Sequence, residues 1–474
     1  MYDLIIVGGG SAGLAATIFA AEGGAKVLLL EHADVLGGTL WVATGQMSAA
    51  GTRLQRERGI NDTPDDHFAD VVRISRGTIN QGLARLAIDH AAGTFDWLME
   101  RGFAPLPEHP IKGFGHEPYS QDRYYWGEKG GVSVKDVLVP IVEQLVADGR
   151  VDLRLEHEVV ALTTDANGAV TGATARDASG ATHDFTGAAV LLACGGYASN
   201  PEMFAELNGY PLYNAAPWRF SKGAGLGLGQ SVGGYLRGQE NVFNNFGTLY
   251  NSDTFPARAF ATVEHFPERR EPWEIYVNAN GQRFVREDVR SIDAREMALS
   301  MQPDRRYWIV FDQRILDEAP PLLAGWSRDE VKRAIAEGGP AFTRADTIED
   351  LAVATGIDAA GLANAIAGYN YGVTTGNDFF GRQHLPAPIE NGPFYAIRMQ
   401  GSAISSAVGL AVDDDLRVIR KDGSVIDGLY AAGELLGSSQ TMGKAACGGM
   451  MVTPALTFGR LIGQRVASTA KVAA

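Results

Sequence analysis

Cysteine is nearly absent. Cys194 and Cys447 are the only two in 474 residues, too few for a disulfide framework, so a reducing cytoplasm is the expected compartment. Positive charge is scarce as well: 41 Lys and Arg stand against 56 Asp and Glu, a formal charge of −15, which argues against nucleic acid or an anionic membrane as the main partner. No apolar run is long enough to cross a bilayer. The N-terminus lacks a basic segment, and its first long apolar stretch is broken by Glu22 and Lys26, so neither a targeting segment nor a membrane span is expected. Internal repeats, low-complexity linkers and metal-ligand spacings are also missing, and no metal is expected. What the chain has in excess is glycine, 58 residues without a collagen-like period, which points to tight turns and close backbone approaches to a ligand. An apolar fraction of 45% supports packed cores, and the length suggests two or three domains at roughly 150 residues each.

Leu4 to Val7 is a short β-branched run leading into Gly8-Gly9-Gly10-Ser11-Ala12-Gly13. A helical stretch from Leu14 to about Glu22 and a second strand, Lys26 to Leu30, complete a βαβ opening. Gly8, Gly10 and Gly13 have the G-x-G-x-x-G spacing: the first permits the turn, the second lets a pyrophosphate approach the backbone, and the third lets helix and strand pack closely. The pyrophosphate would sit at the helix N-terminus. Glu31 ends the second strand, where a carboxylate accepts hydrogen bonds from a ribose diol and disfavours a 2′-phosphate. Dinucleotide binding follows from the order of these parts.

The far end of the chain decides which dinucleotide. Gly428-Leu429-Tyr430-Ala431-Ala432-Gly433-Glu434 is a strand closing on small residues and an acid, and Ala189 to Ala193 is another, ending in Cys194-Gly195-Gly196. An extended FAD needs such a second segment for its ribityl and isoalloxazine half, whereas a nicotinamide dinucleotide does not. These pieces, together with Gly37-Gly38-Thr39, Ala43-Thr44-Gly45-Gln46-Met47, Asn280-Gly281-Gln282-Arg283-Phe284, Gly448-Gly449 and Thr457-Phe458-Gly459, resemble the flavoprotein family of fumarate reductases, succinate dehydrogenase flavoprotein subunits, tricarballylate dehydrogenases and 3-ketosteroid dehydrogenases. The resemblance covers nearly the whole chain. It implies an α/β fold: a split Rossmann-type FAD-binding domain, residues 1–238 and 405–474, with an inserted α+β substrate-capping domain, residues 239–404. Within the cap, Thr347 to Asn370 reads as two short helices around Gly356-Ile357-Asp358. The implied cofactor set is Gly8, Gly10, Ser11, Ala12, Gly13, Glu31, His32, Gly38, Thr39, Thr44, Gly45, Val159, Ala193, Cys194, Gly195, Gly433, Glu434, Gly449, Met451 and Val452. In the succinate dehydrogenase branch a histidine near Gly37-Gly38 tethers the flavin; here Thr39, Leu40 and Trp41 follow, which implies noncovalent FAD.

Flavin dehydrogenation of a C–C bond needs a hydride path, a base for the second hydrogen, and stabilisation of charge on an activating carbonyl. Dicarboxylate reductases of the family hold substrate carboxylates with histidines before a glycine-led strand and with an arginine upstream of the double glycine. This chain has Ile404-Ser405-Ser406-Ala407-Val408-Gly409 and Lys444-Ala445-Ala446-Cys447 there, so neither clamp is present. The proton-relay arginine falls on Ser291, beside Arg290, which either faces substrate or lies in a charged surface stretch. Gly448 and Gly449 precede an expected helix, Met450 to Leu461, whose positive end would favour an anionic reduced flavin, and in ketosteroid dehydrogenases the glycine matching Gly449 gives its amide to the substrate ketone. Their partner tyrosine is matched by Ala445. The aromatic run His116 to Trp126, ahead of a helix expected to be N-capped by Ser133, is either a hydrophobic cluster or a substrate wall with a phenol able to move a proton. Tyr124 and Tyr125 lead as candidates, with Tyr119 behind them. His265 reads mainly as structural, Cys447 as a small buried residue, and Asp413-Asp414-Asp415 as a solvated turn.

The reading is an FAD-dependent dehydrogenase that introduces a C=C bond next to the carbonyl of a saturated cyclic ketone, a small oxocyclohexane, an oxocyclohexanecarboxylate paired to Arg290, or a 3-ketosteroid. The alternative is a fumarate reductase-like or tricarballylate dehydrogenase-like enzyme acting on small polycarboxylates. A third is an electron-carrying subunit whose partner protein supplies the chemistry. The partners expected are a small-molecule substrate and an external electron acceptor or oxygen, because no iron–sulfur or haem motif is present.

Overall fold

Leu4-Ile5-Ile6-Val7 forms β1, with every residue 5% exposed or less. A strand apolar at every position must be covered on both faces, as in the interior of a parallel sheet. The structure is a computed structural model that describes all residues except Phe114, Val242, Phe243, Ile404 and Ala474. The chain divides into two compact units, one of residues 1–209, 217–242 and 404–474, the other of residues 210–216 and 243–403.

In the first unit, β1 is followed along the chain by β2 (Val27–Leu30), β3 (Met47–Ser48), β4 (Tyr124–Tyr125), β5 (Val151–Arg154), β6 (Glu158–Thr164), β7 (Val170–Arg176), β8 (Thr182–Thr186) and β9 (Val190–Leu192). The main sheet has the order Arg417–Ile419, Val425–Ala431, β9, β1, β2, β5. All of its pairings are parallel except that of the edge strand Arg417–Ile419. Ile5 and Leu429 both sit opposite Val190, so β1, β9 and Val425–Ala431 end at one edge of the sheet. The alanine-rich helix α1 (Ser11–Glu22) packs on the C-terminal helix Val452–Ala473 through small residues. A side chain at Gly459 or Gly463 would begin 2.1 or 2.6 Å from the carbonyl oxygen of Ala12 or Ala16. Strands β6, β7 and β8 form a separate antiparallel sheet.

Two local expectations need correction. The helix after the aromatic run begins at Gly131 with Gly130, not Ser133, at the cap; the Ser133 hydroxyl instead accepts the Lys129 amide at 3.0 Å. Gly130 has φ 59° and ψ −134°, open only to glycine in practice, and this turn sends the Gly131 amide to the Ala43 carbonyl at 2.9 Å. The helix expected over Met450 to Leu461 begins at Val452 and continues to Ala473. The acidic run is a turn in which Asp413 accepts the amides of Asp415 and Arg417.

The second unit centres on a four-stranded antiparallel sheet in the order Ile275–Val277, Arg306–Asp312, Phe394–Gln400, Phe342–Ala345. Phe246 stacks on Tyr307 at 4.6 Å within its core. The expected helix pair is Ile348–Thr355 and Ala359–Thr375, the second longer than anticipated at 17 residues. Among the described residues no helix is long and apolar enough to cross a membrane.

Candidate active site

The glycine loop is built as its spacing requires. Gly8 has φ 104°, and a Cβ there would lie 2.6 Å from the Ala193 carbonyl oxygen; at Gly13 it would lie 1.8 Å from the carbonyl oxygen of Gly8. Around Gly10 a Cβ would meet nothing within 4 Å. Gly10 is also the N-cap of α1 and provides no side-chain cap, which leaves the first amides and the positive end of the helix for an anion. Glu31 closes β2 and is 7% exposed. Its carboxylate accepts the amides of Gly9 at 2.6 Å and Ala33 at 2.7 Å. Burial raises its pKa and the two amide bonds oppose that, with a net upward direction. Gly9 is thus a partner that the fingerprint did not single out. Exposed His32 lies 4.8 Å from the Phe220 ring.

The other two strand ends deliver Ala193-Cys194-Gly195 and Gly433-Glu434 to the same edge. In an open α/β sheet this is where a ligand binds. Burial pushes the Cys194 thiol up to about 12, so it stays protonated at neutral pH. Glu434 accepts the Ser406 amide at 2.8 Å, and Ser406 in turn accepts the Tyr197 amide at 2.7 Å through its hydroxyl. Burial raises the Glu434 pKa. Gly433 faces Ala12, and a Cβ on the glycine would lie 3.2 Å from that of the alanine. Gly38 and Thr39 open a single helical turn, Gly38–Trp41, and a Cβ on Gly38 would lie 3.0 Å from Gly10 Cα. Gly45, after Thr44, has φ 67° and abuts the Gly131 amide. Val159 is a buried residue of β6, opposite Ala175. A loop only glycine can form, an uncapped helix start and two carboxylates at one sheet edge fit an extended FAD.

The double glycine gathers the remaining chemistry of this unit. Gly449 has φ 81°, and a Cβ would lie 2.2 Å from the Ser48 amide nitrogen, itself a donor to Thr453 Oγ1 at 2.9 Å. A Cβ on Gly448 would lie 2.8 Å from Tyr124 Cζ, while the Gly448 carbonyl accepts the Tyr119 hydroxyl. Tyr124 is 4% exposed and packs edge-on to Trp126 at 5.2 Å and Tyr119 at 6.4 Å. Burial raises the pKa of all three loop tyrosines. Tyr125 departs from the expectation of an active-site phenol: it is fully buried, 4.1 Å from Phe95, with its hydroxyl 2.9 Å from Thr52 Oγ1. Adjacent strand residues face opposite sides, so β4 turns one phenol toward Gly448 and the other onto Phe95. Arg123 is fully buried and pairs with Asp62 at 2.6 Å and Asp70 at 2.7 Å. Beside this pair His67, edge-on to Tyr119 at 5.4 Å, is held neutral because burial, helped by Arg123, drives its pKa down. No linear pattern signals Asp62, His67 or Asp70. Met451 receives the Thr441 hydroxyl on its sulfur at 3.4 Å, and Val452 begins the C-terminal helix.

In the second unit Arg290 is not held in a pocket of that unit. Its side chain is 83% exposed and lies 3.7 Å from Glu268, a surface ion pair in the charged stretch. Ser291, where the relay arginine would stand, caps the helix Ile292–Ser300 by accepting the Ala294 amide at 3.2 Å. Arg283 of the Asn280–Phe284 motif is buried between Glu287 and Asp378. The His265 carbonyl accepts a hydrogen bond from Arg295 at 2.6 Å.

The model of the FAD binding domain family matches residues 3–450. The chain is 28% identical over 479 residues to the fumarate reductase (cytochrome) of Shewanella frigidimarina, covering 99% of this chain and 77% of that protein. It is 26% identical over 549 residues to the 4-oxocyclohexanecarboxylate 2-dehydrogenase of Sinomonas cyclohexanicum, covering 99% and 93%. The 3-ketosteroid delta1-dehydrogenase structure from Sterolibacterium denitrificans shares the fold, with TM-score 0.71, 21% identity and 99% of each chain covered. With its FAD-fitting sheet edge and a family match over nearly its full length, the chain belongs to the FAD binding domain family and is an FAD-dependent oxidoreductase acting on carbon–carbon bonds.

Proposed function

We propose that the chain introduces a C=C bond α,β to the carbonyl of a saturated cyclic ketone, of the oxocyclohexane, oxocyclohexanecarboxylate or 3-ketosteroid type, with residues 239–404 as the substrate-capping domain. The observation that carries this reading is Tyr124 packed against Gly448, the residue before Gly449. Beside it, serines at 405 and 406 and the run Lys444-Ala445-Ala446 stand where carboxylate clamps would be. The similarity to a 4-oxocyclohexanecarboxylate dehydrogenase supports the same substrate class. FAD, when bound, supplies the hydride acceptor. The Gly449 amide donates to the ketone oxygen and stabilises its developing negative charge. This acidifies the α-carbon, and the Tyr124 oxygen takes the α-proton. Tyr119 keeps its hydroxyl on the Gly448 carbonyl and so fixes the backbone that presents Gly449. An external acceptor or oxygen removes the electrons.

The 28% identity to a fumarate reductase supports a second reading, reduction or dehydrogenation of small polycarboxylates. Anaerobic mixing of the oxidised enzyme with cyclic ketones and with tricarballylate, and of the reduced enzyme with fumarate, decides between them. Loss of flavin absorbance with 4-oxocyclohexanecarboxylate, cyclohexanone or a 3-ketosteroid supports the first. Turnover of fumarate or tricarballylate with no response to any ketone replaces it by the second.

A further inference from the structure

The antiparallel sheet β6–β7–β8 brings together three ligand-type side chains that no spacing along the chain connects. His157 immediately precedes β6, Asp177 immediately follows β7, and His183 lies on β8. Val159 pairs with Ala175, and Ala175 with His183. Side chains alternate along a strand, so His157, two before Val159, and Asp177, two after Ala175, share the face of His183. One ligand atom from each lies within 4.8 Å of the others. The imidazoles are 5.7 Å apart between ring centroids.

We propose that His157, Asp177 and His183 form a binding site for a divalent metal ion of the zinc class, with water completing the coordination. The groups that would orient these ligands are in place. His157 Nδ1 lies 2.7 Å from the Leu155 carbonyl oxygen; with the proton on that nitrogen, Nε2 keeps its lone pair for a metal. One oxygen of Asp177 accepts the Ser179 hydroxyl and the amides of Ser179 and Ala181 at 2.6, 2.9 and 3.0 Å. This fixes the carboxylate with its other oxygen 2.7 Å from His183 Nε2. A metal replaces the proton between those two atoms. With bonds of about 2.0–2.1 Å they need separate by only about half an ångström to reach tetrahedral spacing. Two neutral imidazoles and one carboxylate suit zinc, nickel or copper, whereas magnesium and calcium call for oxygen-rich shells. All three residues are partly or fully open to solvent, so an ion has an entry path. The site lies next to the segment that carries Glu31, because the amides of Glu156 and His157 donate to the carbonyls of Ala33 and Glu31 at 3.0 and 2.9 Å. A bound ion therefore ties the β7–β8 hairpin to the stretch that carries Glu31.

The test is competition between the chelator-stripped, FAD-loaded full-length protein and a chromophoric chelator for zinc ions. The wild type should take up about one equivalent at micromolar affinity or tighter. His157→Gln, His183→Gln and Asp177→Asn should each weaken this by roughly tenfold or more, with the flavin spectrum confirming that each variant is folded. Excess magnesium or calcium should not displace the zinc. The proposal is overturned if the wild type takes up no zinc from the chelator, or if either histidine variant competes as well as the wild type.

Discussion

Within β4, Tyr125 spends its hydroxyl on Thr52 and the Ala49 carbonyl and its ring on Phe95, whereas Tyr124 lies against Gly448. Replacing each by Phe therefore separates stability from chemistry. Tyr125→Phe should lose the hydrogen bonds to Thr52 and to the Ala49 carbonyl, about 0.5–1.5 kcal/mol of stability each, read as a lower Tm, and leave single-turnover flavin reduction unchanged. Tyr124→Phe should slow that reduction by about 10² to 10⁴ while ligand binding is nearly retained. The pH profile carries a sign as well. Burial raises the Tyr124 pKa above its ordinary value of 10.0, so under the proposed mechanism the phenolate that would accept the α-proton is scarce at neutral pH. Dehydrogenation should accelerate with pH and not level off below about 10; a plateau near neutrality would assign the base to another group. A run of aromatic residues announced this loop in the sequence, but its split into one phenol packed on Phe95 and one against Gly448 depends on pairing with Met47-Ser48, a long-range register that local pattern does not encode. The placement of Arg290 stays open in the sequence for a similar reason, since charge runs look alike whether they face solvent or a ligand.

Helix α1 and its loop show the opposite balance, because the constraints there are local and steric. Gly13 has no room for a methyl group beside the Gly8 carbonyl, whereas Gly10 is in extended backbone with open space around it. Gly13→Ala should cost stability in the apoprotein by about 1–3 kcal/mol through overpacking. Gly10→Ala should leave the apoprotein Tm unchanged and weaken FAD affinity, because the added methyl occupies the approach to the backbone. Thermal unfolding with and without added FAD checks both; a Gly10→Ala apoprotein that unfolds early would show that the open space serves packing and not a ligand. The βαβ order and strand limits were legible because fully apolar strands and a glycine fingerprint leave few alternatives. The start of the helix Gly131–Ala147 was not, because Gly130 adopts a conformation set by the Ala43–Gly45 loop and not by its neighbours in sequence.

On the scale of the molecule, one sheet edge collects carboxylates from opposite ends of the chain, Glu31 after β2 and Glu434 after Val425–Ala431, and both are raised in pKa by burial. A folded-state pKa above the ordinary 4.5 means that the apoprotein holds protons the unfolded chain has already lost. Their contribution to apoprotein stability is present below 4.5 and is lost as pH rises through the raised values. Hydroxyl groups of FAD that donate to these carboxylates favour the ionised forms, so binding expels protons and affinity should increase with pH across the same window. With no histidine among Thr39, Leu40 and Trp41, nothing there holds the flavin covalently, and it should leave the polypeptide freely once affinity falls. We therefore expect FAD to dissociate as the pH is lowered toward 4.5 and to appear entirely in the supernatant after acid precipitation. Glu31→Gln and Glu434→Gln should each flatten the pH dependence, since an amide accepts hydrogen bonds without titrating, and each should bind FAD more weakly at neutral pH. Equilibrium titration of the apoprotein with FAD from pH 4.5 to 7.5 measures this directly. A dissociation constant independent of pH, or a slope unchanged in both variants, would remove the two carboxylates from the cofactor's hydroxyl groups. Flavin retained on the precipitate would show a covalent attachment elsewhere in the chain.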